Sequence, residues 1–221
     1  VYGVKYFKIS ENRGISQFYT IKSDGTNNSM ITNNDNIKCS PTFLNNGKIA
    51  FLEQDEETKE MQLCQMNSDG TNHEVLTHLN PGIDDFLFSP DNSKLIFISQ
   101  VGNIPKAQEL YPELDKATGL IADDLMYLHW DHWMETIPHP FVASFNGKNV
   151  TSPHDILKGT KFECPMTPFN SDLCWSPDSN FIAFIMKPFT VKMRIGQFLD
   201  KKIAILPSIQ KLIVKNQFKK F

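Results

Sequence analysis

The residues best able to do chemistry fall in one stretch: Tyr127, His129, Trp130, Asp131, His132, Trp133, Glu135 and His139. Imidazoles and carboxylates at short spacing are zinc-ligand types, and two histidines with a carboxylate can hold the ion while leaving a position open. His129 and His132 are three apart and could share a helix face, but there is no HExxH motif and the spacing does not define a metal centre. No metal and no cofactor are therefore expected. The aromatic side chains suggest recognition instead. Tyr127, Trp130, Asp131, Trp133 and Glu135 are the candidate substrate- or interface-contacting residues, because aromatic pads commonly anchor partners. The plainer reading of the same residues is packing on a sheet face.

Other reactive types read as structural. Asp24, Asp69, Asp91 and Asp178 each lie in a short Ser/Asp/Gly or Ser-Pro-Asp run, where a carboxylate bonds nearby backbone amides, so paired-carboxylate catalysis is not expected. Cys39, Cys64, Cys164 and Cys174 have no CxxC spacing, which argues against a zinc ribbon or a disulfide framework and for buried free thiols on strands. The lysines near the C-terminus read as a solvated face rather than a phosphate-binding patch.

The elements that position these residues repeat. Ser23-Asp24-Gly25-Thr26-Asn27 recurs as Ser68-Asp69-Gly70-Thr71-Asn72, a period of 45 residues. Phe88-Ser89-Pro90-Asp91, leading to Lys94-Leu95-Ile96-Phe97-Ile98, returns 87 positions later as Trp175-Ser176-Pro177-Asp178, leading to Phe181-Ile182-Ala183-Phe184-Ile185. A degenerate copy, Phe43-Leu44-Asn45-Asn46-Gly47, falls one period before Phe88. Proline fixes one backbone angle and Asp, Asn and Gly tolerate left-handed conformations, so each run is a tight connection between short apolar strands. Four strands per period, with no helical periodicity between them, indicate WD-like propeller blades.

The fold class is therefore all-β, an incomplete β-propeller of four-stranded blades with one aromatic-rich insertion. The partial propeller covers residues 1–186, with blades at roughly 1–32, 37–77, 84–152 and 171–186, an insertion at 100–140 inside the third, and a divergent or frame-shifted tail at 187–221. So few blades cannot close a ring, and the native protein is expected to continue beyond both ends. A formal net charge of −3 offers no broad attraction to nucleic acid or anionic lipid, and no apolar run is long enough to span a membrane. Neither partner is expected. The N-terminal residues VYGVKYFKIS lack the charged leader, apolar stretch and cleavage site of a signal peptide.

The run Leu114-Asp115-Lys116-Ala117-Thr118-Gly119, then Asp124-Leu125-Met126-Tyr127, His129-Trp130-Asp131, Trp133 and Glu135-Thr136-Ile137-Pro138-His139-Pro140-Phe141 is more specific than the turns. On these residues the chain resembles the propeller of prolyl-oligopeptidase-family serine peptidases, particularly bacterial dipeptidyl-peptidase five and acylaminoacyl-peptidase-like members. The resemblance covers residues 1 to about 186. It implies a propeller that screens access to a C-terminal α/β-hydrolase domain, a peptide substrate for the parent enzyme, and a periplasmic location. It implies no catalytic residue here. The family nucleophile needs a Gly-x-Ser-x-Gly elbow, and Gly14-Ile15-Ser16-Gln17-Phe18 has Phe18 where the second glycine should stand.

Similarity stops near Lys187, and no third strand or Asp-Gly turn is recognisable in the tail. A shifted reading frame, in which a Gly-Lys-Asp codon run missing one base becomes Val-Lys-Met, would explain the abrupt stop. A divergent tail forming a strand or a basic helix is the alternative. Two functions remain open. One is the propeller portion of a peptidase that removes dipeptides or blocked residues from peptide N-termini, inactive without its hydrolase domain. The other is a non-enzymatic periplasmic binding propeller.

Overall fold

The structure is a computed structural model and describes residues 1–103, 105, 107–117, 128–129, 132–133, 135–160, 162–164, 173–188 and 202–207. The chain divides into two compact units, Val1–Ile98 with Val142–His154, and Ser99–Phe141 with Asp155–Phe221. Its strands form antiparallel sheets, the first three in sequence order, the all-β blade architecture that the repeats imply.

The first blade has three strands, β1 (Tyr2–Lys8), β2 (Arg13–Thr20) and β3 (Ser29–Met30), in that order. The second has four, β4 (Lys38–Phe43), β5 (Ile49–Gln54), β6 (Met61–Met66) and β7 (Glu74–Val75), also in sequence order. Ile49, Ala50, Phe51 and Leu52 are all buried, so β5 is covered on both faces, as a continuous apolar run requires. On one face Phe18 of the first blade meets Phe51 edge to face at 5.3 Å, within a cluster completed by Ile49, Cys64 and Met66. Burial of each such side chain stabilises by roughly 1.5–3 kcal/mol, so this cluster joins the two blades.

The third blade contains β8 (Asp85–Phe88) and β9 (Lys94–Gly102). An insertion follows, with a helical turn α1 (Ala107–Leu110) and the paired strands β10 (Leu128–His129) and β11 (His132–Trp133). The blade resumes with β12 (Thr136–Phe145) and β13 (Val150–Asp155), giving the sheet order β13-β12-β9-β8. Strand β12 begins at Thr136, ahead of Phe141 where the sequence suggests it. Pro138 and Pro140 have no N–H to donate, but their carbonyls can still accept. Their carbonyls accept from the backbone N–H of Cys164 at 2.9 Å and of Ile156 at 3.2 Å.

The fourth sheet comprises β14 (Phe162–Glu163), β15 (Leu173–Trp175), β16 (Phe181–Pro188) and β17 (Lys202–Pro207). Strand β16 pairs with β14, β15 and β17, and the β17 register runs from Phe181↔Pro207 to Met186↔Lys202. A strand thus occurs within the tail, where no third strand is recognisable in the sequence. The rest of 187–221, apart from Lys187 and Pro188, lies outside the described residues.

The turns carry the period at atomic detail. Gly25 N–H donates to Lys22 O and Lys22 N–H to Thr26 O, both at 2.9 Å. Forty-five residues on, Gly70 N–H donates to Asn67 O at 2.9 Å and Asn67 N–H to Thr71 O at 2.8 Å. In each, the Asp accepts from the Thr backbone N–H at 2.9 Å and the Thr hydroxyl at 2.7 Å. These bonds hold the Asp24 and Asp69 carboxyls below the usual carboxylate range. In the Ser-Pro-Asp turns, Ser89 Oγ donates to Asp91 at 2.6 Å and Ser176 Oγ to Asp178 at 2.5 Å. The four aspartates are turn formers.

Candidate functional site

The insertion places its candidates unevenly. Tyr127, Trp130 and Asp131 lie outside the described residues. Trp133 belongs to β11, with its backbone opposite Leu128, and His132 stands opposite His129. His129 and His132 are therefore cross-strand partners rather than neighbours on a helix face. Among the described insertion residues, Leu128–His129 and His132–Trp133 are extended. Glu135 is exposed, and its backbone carbonyl accepts from Asn103 N–H at 2.8 Å, closing the base of the insertion. The hydroxyl of Thr136 donates to Gln100 Oε1 at 3.1 Å just beyond it.

His139 departs from the metal-ligand set considered from the sequence. It is buried on β12, and its Nδ1 lies 3.0 and 3.1 Å from the Asp155 carboxylate oxygens. Asp155 also accepts from Leu157 N–H at 2.8 Å. The dyad pins the end of β13 against β12, a structural role.

A denser polar cluster lies on the second blade, away from the candidates of the insertion, and of its members the sequence singles out only Cys64, as a buried thiol. Glu53 on β5, Cys64 on β6 and His73 just before β7 place a carboxylate oxygen, a thiol sulfur and an imidazole nitrogen within 4.8 Å of one another. Phe51 pairs with Cys64 and side chains two residues apart on a strand share a face, so Glu53 projects to the side of Cys64; His73 lies just outside β7 and rests over the same face against Phe51. The small thiol of the middle strand leaves room for the longer flanking side chains to join above it. His73 Nε2 lies 2.5 Å from Glu53 Oε2, and the imidazole rests 5.7 Å from the Phe51 ring.

The other oxygen of Glu53 is held separately. Oε1 accepts from Asn34 Nδ2 at 3.2 Å and lies 3.7 Å from Lys38 Nζ. Lys38 and Glu53 have side chains only 1% and 7% exposed, and Lys38 also donates to the carbonyls of Ser16, Asn34 and Asn36. Burial lowers the Lys38 ammonium pKa, against the pull of Glu53. Burial pushes Glu53 upward, but His73, Lys38 and Asn34 together outweigh it and leave its carboxyl below the usual value. His73 is raised, chiefly by its hydrogen bond to Glu53. Burial, reinforced by the Glu53 charge, pushes the Cys64 thiol up to about 12.

Cys64 and Cys164 are buried thiols as the sequence suggests, whereas Cys39 and Cys174 are exposed. On β15 Cys174 alternates with buried Leu173, and on β4 Cys39 lies beside a register shift that interrupts the alternation. None of the four forms a disulfide.

Repeated antiparallel blades whose strands are connected by Asp-Gly and Ser-Pro-Asp turns define a β-propeller segment, and similar proteins place it more closely. Over 193 residues the chain is 39% identical to dipeptidyl-peptidase 5 of Porphyromonas gingivalis and 36% identical to dipeptidyl-peptidase 5 of Porphyromonas endodontalis, covering 86% of this chain in each case. It is a propeller segment related to these dipeptidyl peptidases, and it spans 28% of the length of each. No family model matches the chain. Among solved structures, TolB from Agrobacterium tumefaciens superposes with a TM-score of 0.50 at 13% identity, over 94% of this chain and 57% of that one, a likeness of fold. Among the described residues no helix is long and apolar enough to cross a membrane.

Proposed function

We propose that this chain is the substrate-gating propeller portion of a serine peptidase that removes dipeptides or blocked residues from peptide N-termini. The observation that carries the reading is the 39% identity to dipeptidyl-peptidase 5 over 193 residues. Catalysis would come from an α/β-hydrolase domain outside this chain, since no Gly-x-Ser-x-Gly elbow occurs in the sequence. The parent protein is proposed to act in the periplasm. Tyr127, Trp130, Asp131, Trp133 and Glu135 are the proposed contacts to substrate or to the hydrolase domain. Their segment interrupts a blade between β9 and β12, and long inserted loops on a rigid scaffold commonly carry function.

The test is size selectivity. In the peptidase that carries this chain, kcat/KM is measured for a dipeptidyl-methylcoumarinamide and for a peptide of about ten residues. Replacing Trp130 and Trp133 with alanine should change the ratio of the two by on the order of tenfold, the effect of a lost aromatic anchor of about 1.4 kcal/mol. An unchanged ratio with unchanged rates contradicts a gating role for the insertion.

A further inference from the structure

Glu53, Cys64 and His73 are three different metal-ligating groups on adjacent strands of one sheet, with donor atoms within 4.8 Å of one another. Four-coordinate zinc takes sulfur at about 2.3 Å and nitrogen or oxygen at about 2.0–2.2 Å, so one ion would part His73 Nε2 and Glu53 Oε2 from 2.5 Å to about 3.3 Å, with the Cys64 sulfur already within 4.8 Å of both. The surroundings favour that arrangement. Lys38 and Asn34 hold Glu53 Oε1, leaving Oε2 turned toward His73, and a ligating carboxylate is ordinarily steadied by such outer partners. Phe51 lies against the imidazole, and His73 is 40% exposed, which leaves one side open to solvent.

We propose that Glu53, Cys64 and His73 form a binding site for a zinc-class divalent ion, with water in the fourth position. Charge balances. When His73 is protonated, the ion displaces one proton from its imidazole and one from the Cys64 thiol, both released to water. Two protons leave as one dication enters, so the charge beside buried Lys38 does not rise. The metal compensates for the buried thiolate that the site otherwise disfavours. With three protein ligands and an exposed histidine, the ion would clamp β5, β6 and the entry to β7.

Cobalt(II) titration of the chain tests this directly. The expected result is one equivalent of cobalt bound, with the near-ultraviolet absorption of a thiolate–cobalt bond and the intense visible bands of four-coordinate cobalt. Cys64→Ser, which keeps Cys39, Cys164 and Cys174, should lose the thiolate band. His73→Ala changes a partly exposed residue and should weaken cobalt affinity by on the order of 100-fold, at the upper end of losses for residues supporting a metal site. Absence of the thiolate band from the unsubstituted chain overturns the proposal. So does its persistence in Cys64→Ser, or undiminished affinity in His73→Ala, whose folding is checked by circular dichroism.

Discussion

The first two blades use the same Ser-Asp-Gly-Thr turn and the same hydrogen bonds within it, yet they place it in different surroundings. A Cβ added to Gly25 would meet nothing within 4 Å, whereas one added to Gly70 would lie 1.9 Å from the Ile31 carbonyl oxygen. Their ion pairs differ in the same direction. Lys8 and Asp35 meet at 2.5 Å with side chains 34% and 48% exposed, while Lys38 and Glu53 are almost wholly buried in the second blade. A repeat therefore specifies a local shape, and packing against the neighbouring blade decides how much each copy contributes.

Five substitutions sharpen the contrast. Glu53→Ala should cost most, about 3–5 kcal/mol in urea unfolding, because it leaves the Lys38 charge buried with only backbone carbonyls as partners. A loss below about 1 kcal/mol would mean that Lys38 readily sheds its proton or reaches water. Gly70→Ala should cost about 3 kcal/mol, combining a φ of 86° with displacement of the Ile31 backbone, and Gly25→Ala, at φ 83°, about 1 kcal/mol. Equal losses would show that the contact to Ile31 is unimportant.

His73→Ala should act through pH. The pKa of His73 is raised from 6.5, so its contribution is fully present below that value and fades as pH rises through the higher folded value. Glu53 is lowered from 4.5, so its contribution is present above that value and fades as pH falls through the lower folded one. The Tm difference between parent and His73→Ala should therefore peak between about pH 5 and 6. A flat difference from pH 4 to pH 9 would remove the His73–Glu53 pair from the account. Asp35→Ala should have the smallest effect, with no measurable change in the urea midpoint, since exposed pairs contribute little.

The blades were legible in the sequence because their signals are local. Asp24, Asp69, Asp91 and Asp178 each bond backbone or side-chain groups within two residues, so residue type alone reveals the turn. The second-blade cluster was not legible. It depends on the Phe51↔Cys64 register, set across a connection without a motif, and on the path of His73 between the Asp-Gly turn and β7, which no residue type announces. The start of β12 at Thr136 was obscured by Pro138 and Pro140, whose carbonyls continue to accept hydrogen bonds. Strand β17 was legible only as one of the two forms open to a divergent tail, a strand or a basic helix. Its residues Lys202–Pro207 pair with β16 without an Asp-Gly turn to announce them.

The central claim is tested most directly by incubating the protein that carries this chain with an unblocked hexapeptide and identifying products by mass spectrometry. The account predicts release of the N-terminal dipeptide, abolished by a fluorophosphonate that modifies the active serine. An intact hexapeptide, or cleavage unaffected by the fluorophosphonate, would contradict a dipeptide-releasing serine peptidase with this propeller as its gate.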